Sequence, residues 1–562
     1  MQYLTLISLP FLLFTGYRLV NWTCFYISAR AYGLPIVLLP VSFEDAWWML
    51  LRPLFSFVPS LPFGLGDWYI YTTMGWPTED LNRSLLRYGE NFVLCSPIGN
   101  IIVTAEPGVV DVVYGNGRGL ATGVKPEWRM PESQAQLFAF YGQNVSSTTG
   151  EAWKRHRKIT SSAFNENAMR YVWEQADVQA RSLNTDLEPK EEYTLDRVRS
   201  SFDVLAMRIL TVVGFGQKTA LTAIPPGHQE SLMESLGFIL KNVMLTLLFN
   251  SLRAPDVLLP AILRRLKRSV REFRLYMEEL VLQHMRTASA RPQSATSTSL
   301  LEAMVRANEA GKQEEKASGE RSFLSDAELY GNIFVFNLAG YETTASTFTF
   351  ALAYLAAHPG VQRWVAEEVD EFWTDDLHAP EYADTYPRMV RSLALMYETL
   401  RLASHAPMFV RAPTVPAELR ITTPRGPRTV LVGTDTKVGF NIYGAHLSPR
   451  WGEDVLSFDP RRFIQTGAGG EEKLVIPEGP LYAPFMMGPR VCPGKKFSQV
   501  EFVGMMSRVL AEWQVEPVRG VGEDEKEARE KLLSVVGDKV FNVSAHLKRG
   551  GDAAVKFVWR KA

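Results

Sequence analysis

The sequence predicts a mainly α fold with small β-sheets in one large domain, and three observations lead there. Helical periodicity dominates the chain. Strand-like material is confined to short runs such as "FVLCSPIGNIIVT" (92–104), "RTVLVGTDTKVGF" (428–440) and "AAVKFVWRK" (553–561). The 562 residues are 46% hydrophobic and 22% charged, which supplies enough apolar material for a large core. Polar breaks are few (288–299, 307–321, 466–473 and 520–530), and apolar periodicity resumes beside each, so they read as surface loops rather than interdomain linkers. With 60 basic against 61 acidic residues the net charge is −1 and no basic stripe stands out, which argues against nucleic acid as a partner.

Taken in order, the chain opens with "MQYLTLISLPFLLFTGYRLVNWTCFYISAR", where the only charges before Arg30 come from Arg18 and the terminal amine. The apolar part, Leu4 to Val20, lies near the lower limit of the roughly 17–25 residues that a spanning helix needs. Neither a basic n-region nor a small-residue cleavage site is evident, so an uncleaved membrane anchor is expected within residues 1–45 rather than a signal peptide. Basic residues follow the apolar run, which favours a cytosolic position for the rest of the chain. A second apolar stretch, "YGLPIVLLPV" (32–41), leaves open a monotopic hairpin instead of a single span. Residues 46–65, with the Pro-rich "RPLFSFVPSLPFG" (52–64), read as a connector into a single domain over 66–562.

Three further stretches combine unusual residues. In "GEAWKRHRKITSSAFN" (150–165), Trp153 and Arg157 are four apart and share a helix face, although taken alone an ordinary basic amphipathic helix explains them better. Ser325 to His358 is the longest helical candidate, with Ser325 and Glu328 as a capping box and Pro359 as the stop. Its middle is odd for a helix. Gly340 costs about 1 kcal/mol against Ala, and Glu342, Thr343 and Thr344 follow in an apolar surround, where a buried carboxylate needs a partner or a role. The alternative is a small-residue contact with another helix, the hydroxyls bonding back to carbonyls one turn earlier. In "YETLR", Glu398 and Arg401 share a face at i, i+3, a spacing common among surface pairs.

The chain holds only Cys24, Cys95 and Cys492, an odd number without a CxxC spacing, so neither a disulfide framework nor a thiolate zinc site is expected. Cys492 sits in "FMMGPRVCPG" (485–494). Phe485, Gly488, Arg490, Cys492 and Gly494 give F-x-x-G-x-R-x-C-x-G, a pattern that average usage yields about once per ten thousand chains of this length.

This loop resembles the cysteine loop of the cytochrome P450 family, and from about residue 60 onward other motifs fall in that family's order. They are Trp153-x-x-x-Arg157, Ala339-Gly340-Tyr341-Glu342-Thr343-Thr344, Glu398-x-x-Arg401 and Phe458-Asp459-Pro460-Arg461-Arg462-Phe463. The resemblance implies the cytochrome P450 fold, with haem b between the long central helix and the helix after the loop, and Cys492 as the axial thiolate. A thiolate ligand pushes electron density that favours O–O cleavage. Gly488 and Gly494 would let the backbone bend close and aim amides at sulfur, while Phe485 would shield it from water. Arg490, Trp153, Arg157 and Arg411 are the candidate partners of the haem propionates. Glu342 and Thr343 resemble an acid–alcohol pair that delivers protons. Glu398, Arg401 and Arg462 would form a structural lock. Two positions depart from the family's habit. Met486 stands where a small or polar residue is common, and Arg461 where an acid is common, which puts one salt bridge in doubt.

The implied function is a membrane-bound haem-thiolate monooxygenase of the endoplasmic reticulum, similar to fungal members that tailor secondary metabolites. It would insert one oxygen atom of O2 into a hydrophobic small molecule. A separate NADPH-dependent flavoprotein reductase is the expected partner, with Lys495 and Lys496 either on its docking side or simply at a solvated helix start. Pocket candidates are Phe336, Ala339, Gly340, Met408 and Phe409, with the cluster Phe138, Phe140 and Tyr141. A haem-thiolate isomerase or dehydratase that does not use O2, and a non-catalytic membrane haem-binding protein, stay open as alternatives.

Overall fold

A computed structural model describes residues 2–115, 127–185, 192–216, 223–243, 245–246, 255–290, 299–319, 321–374, 378–542, 544–550 and 553–560. At its centre runs a 32-residue helix, Asp326–Ala357. Reciprocal capping fixes its start: the Ser325 side chain accepts from the Glu328 N–H, and the Glu328 carboxylate accepts from the Ser325 N–H at 2.8 Å. The next helix begins with Pro359, whose missing N–H costs nothing at that position. Side chains are buried on most faces of the central helix, as expected for an element enclosed by others rather than lying on a surface. Phe348 shows how it is held. Its ring stacks on Phe202 of the helix Val198–Phe215 (5.0 Å, 14°) and on Phe502 of the helix Lys495–Glu512 (4.9 Å, 22°). Each such pair contributes about 0.5–1.5 kcal/mol beyond its buried area.

Sheet material forms one larger sheet and several small ones. The six-stranded sheet has the order Ile36–Leu38, Asn91–Ser96, Gly99–Thr104, Thr436–Asn441, Met408–Pro413, Trp128–Arg129. The strand-like run at 92–104 is a hairpin, with Asn91 opposite Thr104 and Ser96 opposite Gly99. Thr436–Asn441 then adds parallel to Gly99–Thr104, and Met408–Pro413 adds antiparallel to it. Val555–Trp559, from the run at 553–561, lies between Trp513–Pro517 and Glu192–Leu195.

Two expected loops are helical. Residues 307–321 fall mostly in the helix Leu300–Ser318, capped by Ser299 and ended by Gly319 with φ 76°. Leu301, Met304 and Val305 are buried, so the polar run is the solvated face of an amphipathic helix. Likewise Asp524, within 520–530, caps the helix Glu525–Gly537. The break at 466–473 does hold a turn, joining Ile464–Thr466 to Glu472–Leu474. Of the break at 288–299, residues 291–298 lie outside the described ones.

The apolar N-terminus forms one helix, Gln2–Ala31. Among the described residues no helix is long and apolar enough to cross a membrane. The later half of the N-terminal helix is fastened to the sheet. Arg18 pairs with Asp45 at 2.7 Å, Trp22 Nε1 donates to the Cys95 carbonyl at 3.2 Å, and the Phe25 carbonyl accepts from Asn100 at 2.9 Å. Residues 32–41, expected with the anchor or as a membrane hairpin, instead contain the strand Ile36–Leu38, parallel to Asn91–Ser96, with Val37 and Leu39 buried. The connector is a helical turn, Ala46–Leu51, followed by short 3-10 turns with Pro53, Pro59 and Pro62 near their starts; Leu54, Phe57 and Phe63 are left exposed.

Two histidines are enclosed in this framework. The His405 Nε2 pairs with the Thr347 hydroxyl at 2.8 Å, and the His446 Nε2 accepts the Ala483 N–H at 3.0 Å. Burial holds both imidazoles down to about 3. An unfolded chain takes up protons on these residues below about 6.5 while the folded one does not. Stability is therefore lost as pH falls from about 6.5 toward 3, by about 1.4 kcal/mol per pH unit for each histidine. Urea midpoints between pH 7 and 5 should fall steeply in the wild type and more gently in a His405→Gln, His446→Gln variant. Parallel slopes would contradict the assignment.

Candidate active site

The loop carrying Cys492 closes through short backbone bonds. The Cys492 N–H donates to the Phe485 carbonyl at 2.9 Å, the Val491 N–H to Gly488 at 3.2 Å and the Met486 N–H to Ala483 at 3.0 Å. Gly488 has φ 65°, and a Cβ there would lie 2.6 Å from the Tyr114 carbonyl oxygen. Gly488→Ala should therefore displace the loop and lower the urea midpoint by the equivalent of about 2–4 kcal/mol, from left-handed strain plus overpacking; an unchanged midpoint would contradict this contact. Met486 has φ 59°. A side chain in that region costs about 1–2 kcal/mol, and small or short polar residues visit it more readily, which is the physical reason they suit the position.

Cys492 is exposed, yet its surroundings raise the thiol above its ordinary pKa by burial. The Gly494 N–H and the charges of Arg157 and Lys495 pull the other way. The sulfur therefore faces an enclosed space that solvent can reach, rather than the outer surface. As an anion it calls for a further positive charge beside it. Phe485 in the same loop is half-buried, with Lys495 Nζ 5.9 Å from its ring.

Four of the expected residues gather around this loop. Arg157 Nη1 donates to the Val491 carbonyl at 3.1 Å. Arg490 donates to the carbonyls of Val145 (3.2 Å) and Thr148 (2.8 Å) and lies over the Trp153 ring at 4.4 Å. Burial lowers the pKa of Arg490 to about 10, and the charges of Arg411 and Arg157 add to the effect. Arg411 is buried, lies over the Tyr114 ring at 5.7 Å and donates to the Val410 carbonyl; burial lowers its pKa too. None of these three arginines forms an ion pair among the described residues. Glu127 offsets part of the repulsion at Arg490, but partly buried guanidiniums that repel one another and lack an ion-pair partner are stabilised by an anion presenting several oxygens. A thiolate needing a cation beside arginines needing carboxylates fits an iron porphyrin with its two propionates.

The long helix supplies the facing wall. Ala339 is exposed and Phe336 and Thr343 are half-buried, although residues 333–335 and 344–357 are buried. These three share one helix face, which therefore borders an internal space. The Thr343 hydroxyl donates to the Ala339 carbonyl at 2.8 Å. Phe164 joins this face to the cysteine loop: its ring is 5.6 Å from Phe336, and a Cβ on Gly494 would lie 4.0 Å from it. Glu342, one residue and about 100° away, points elsewhere. It accepts from the Ser544 hydroxyl at 3.1 Å and lies 3.5 Å from Arg199 Nη2. Burial raises its pKa and Arg199 opposes this. The expected acid–alcohol pair is thus split between two environments.

The remaining candidates separate further. Met408 is buried and Phe409 half-buried on the strand that carries Arg411. Phe140 and Tyr141 pack on Phe334 at 5.6 and 4.8 Å and line a different hollow, of about 400 Å3, with Arg274 and Tyr330. The side chain of Phe138 lies outside the described ones. Lys496 pairs with Glu166. Glu398, Arg401 and Arg462 do meet. Arg401 makes a two-pronged pair with Glu398 (2.7 and 2.8 Å), and Arg462 Nε and the Asp459 N–H donate to the same carboxylate at 3.0 and 2.9 Å. Arg461, with no acid in its place, lies over the Trp364 ring at 5.1 Å. Sequence reasoning missed Phe164, Arg199, Asp203 and Ser544. Only the pair at i, i+4 in "VRSSFDVLAMRIL" (198–210), charged within an apolar helix, carried a signal.

Comparisons with known proteins show the family and the fold. Residues 120–541 match the family model described as cytochrome P450. The phomenoic acid biosynthesis cluster cytochrome P450 monooxygenase of Leptosphaeria maculans is 28% identical, covering 93% of each chain. The cytochrome P450 monooxygenase prx9 of Penicillium rubens is 27% identical, over 93% of this chain and 92% of its own. In fold, the chain is similar to the crystal structure of a cytochrome P450 (CYP102L1), with a TM-score of 0.62 and 19% identity over 86% of this chain and 94% of that one.

Proposed function

This chain belongs to the cytochrome P450 family and is a haem monooxygenase, and from that premise we propose that it inserts one oxygen atom of O2 into a hydrophobic small molecule of secondary metabolism. The balance is substrate, O2, NADPH and a proton giving oxidised substrate, water and NADP+, with electrons delivered by an NADPH-dependent flavoprotein reductase. Haem b, held by Cys492 and by Arg157, Arg411, Arg490 and Trp153, would supply the O–O cleavage chemistry of a thiolate-ligated iron. The observation that carries the reading is the set of three arginines, Arg411 buried and Arg157 and Arg490 half-buried, that form no ion pair among the described residues beside an enclosed cysteine.

The residues of the chain have distinct tasks in this scheme. The Gly494 N–H and Arg157 stabilise sulfur as an anion. Thr343, beside the open groove at Ala339, would hold a proton carrier on the haem-facing side, and Glu342, tied to Arg199 and Ser544 on another face of the helix, would exchange protons with water there. Apolar Phe336 and Phe164 keep the reacting face poor in water. The proposal includes membrane association at the endoplasmic reticulum with the catalytic domain toward the cytosol; exposed Leu12, Leu13, Phe14 and Val20 on the first helix support it.

Purified haem-loaded protein given reductase, NADPH and labelled O2 should place one labelled atom in the product. Formation of product without reductase and O2 would overturn the reading in favour of an isomerase or dehydratase. Thr343→Ala should cut product formation by about 100-fold while NADPH is still consumed, the lower end for a lost proton-delivery group. Wild-type product yield per NADPH would remove Thr343 from the scheme.

A further inference from the structure

The side chain of Asn332, fully buried on the central helix, ties three segments of the chain together. Its Oδ1 accepts the Val145 N–H at 2.9 Å. Its Nδ2 donates to the Glu328 carbonyl one turn earlier at 2.7 Å and to His156 Nδ1 at 2.8 Å. His156 lies on the helix Gly150–Ser161, next to Arg157, and is itself fully buried. An Nδ1 that accepts leaves the ring proton on Nε2, which faces the Glu328 carboxylate at 3.5 Å. Both donors and the oxygen of the Asn332 amide are thus engaged, two of the three bonds reaching other elements.

Val145 belongs to a turn that closes on itself. The Asn144 carbonyl accepts the Thr148 N–H and hydroxyl at 3.1 and 2.8 Å, and Asn144 Oδ1 accepts the Ser146 and Ser147 N–H groups at 3.0 and 3.1 Å. A turn bonded in this way shifts as a unit. It rests on the central helix with no side chain between the two backbones: a Cβ on Gly331 would overlap the Gly142 carbonyl, and one on Gly142 would overlap the Ala327 carbonyl. The carbonyls of the turn in their place hold the cysteine loop, since Arg490 Nη1 donates to Val145 at 3.2 Å and Nη2 to Thr148 at 2.8 Å. Asn332 and Arg490 therefore hold the same residue, Val145, one by its N–H and the other by its carbonyl.

We infer that Asn332 is a positioning residue for Arg490: it fixes the Val145–Thr148 turn, and the turn fixes the direction of the guanidinium toward the carboxylates of the bound group. The inference rests on the haem-thiolate reading in naming those carboxylates as propionates, and not in the placing of Arg490. Arg490 forms no ion pair among the described residues, so the two carbonyls and the Trp153 ring direct it. Without Asn332 the Val145 N–H and His156 Nδ1 both lose a partner where water does not replace it. The turn then gives way before the helix does, because the helix keeps its own ladder of backbone bonds.

Transfer of haem from the full-length loaded protein to excess apomyoglobin reads how firmly the propionates are held. Asn332→Ala should speed it about tenfold, the worth of one buried hydrogen bond. It should also lower the haem reduction potential, because a cation drawn away from a propionate favours the ferric state. In an Arg490→Ala background the same substitution should change release by less than about twofold and leave the potential unmoved, the non-additivity of residues that act through one another. Arg490→Lys serves as the background if Arg490→Ala takes up no haem. Asn337→Ala is the control: its side chain is as deeply buried on the same helix, donates to the Ile333 carbonyl, and should alter release by less than about twofold. Reaction of Arg490 with phenylglyoxal, read by peptide mass spectrometry, should be several-fold faster in Asn332→Ala than in the wild type. Equal haem losses in both backgrounds, an equally large effect of Asn337→Ala, or an Arg490 that reacts no faster would overturn the inference. A wild type without the thiolate-type Soret band would instead sink the haem-thiolate reading and leave the phenylglyoxal comparison to decide the placing of Arg490.

Discussion

Cys492→Ala is expected to abolish the red-shifted Soret band of the reduced, CO-treated protein and to reduce monooxygenase activity by more than about 100-fold, a loss above 2.7 kcal/mol in the barrier. The sulfur is held by the Cys492–Phe485 backbone bond and faced by the Gly494 N–H, with Arg157 and Lys495 as the nearest cationic influences. The Cys492–Phe485 backbone bond holds the loop without the side chain, so the variant should keep its fold, its near-ultraviolet dichroism and its urea midpoint to within about 1 kcal/mol, as for a substitution away from the core. The three arginines remain, and so the variant should still bind porphyrin, now without the thiolate signature. A thiolate-type band surviving in Cys492→Ala would end the assignment, because neither Cys24 nor Cys95 lies in this loop: the first is on the N-terminal helix and the second is buried in the sheet.

Glu398→Ala should have the largest effect on stability, about 3–5 kcal/mol. Glu398 and Arg401 are both fully buried, and the same carboxylate accepts from Arg401, Arg462 and the Asp459 N–H. Arg401 also donates to the carbonyls of His446, Val455 and Ser457. Removing the acid strands a buried guanidinium, and its remaining bonds to neutral carbonyls do not replace the lost charge. Arg87 and Asp67, with side chains 60% and 47% exposed, make a pair of similar length at 2.6 Å. Breaking that one with Arg87→Ala should shift the urea midpoint by under about 1 kcal/mol, since water solvates both ends. Equal midpoints for the two variants would show that burial does not set the worth of the lock.

The motif residues were legible because their chemistry fixes both type and spacing. A cysteine held in a tight loop needs glycines where the backbone turns, and Gly488 has the left-handed φ and the 2.6 Å approach that forbid a side chain. The lock at Glu398 was legible for the same reason. Segments whose composition serves two purposes were not. "YGLPIVLLPV" is apolar enough for lipid, but the partner strand Asn91–Ser96 that claims it is more than fifty residues on. The charged run 307–321 hid a helix because only every third or fourth residue meets the core. Glu342 and Thr343 are adjacent in sequence, and a helical turn of 100° separates their surroundings. A cavity of about 1080 Å3 bordered by Glu342 was invisible, since its walls come from segments as far apart as Leu50, Met207 and Phe541, none distinctive alone.

The sheet that carries Arg411 also sets a timetable for synthesis. The Tyr114 hydroxyl donates to the Val438 carbonyl across 324 residues, and Gly99–Thr104 gains its neighbour Thr436–Asn441 only when that stretch has been made. At about 5–20 residues per second the ribosome needs on the order of 15–65 s to supply it. For that interval Gly99–Thr104 has one partner strand and one bare edge of hydrogen-bonding groups, open to pairing with another chain. Slowed elongation between residues 104 and 436 should therefore raise aggregation of the nascent protein, and chaperones that cover extended apolar segments should suppress it.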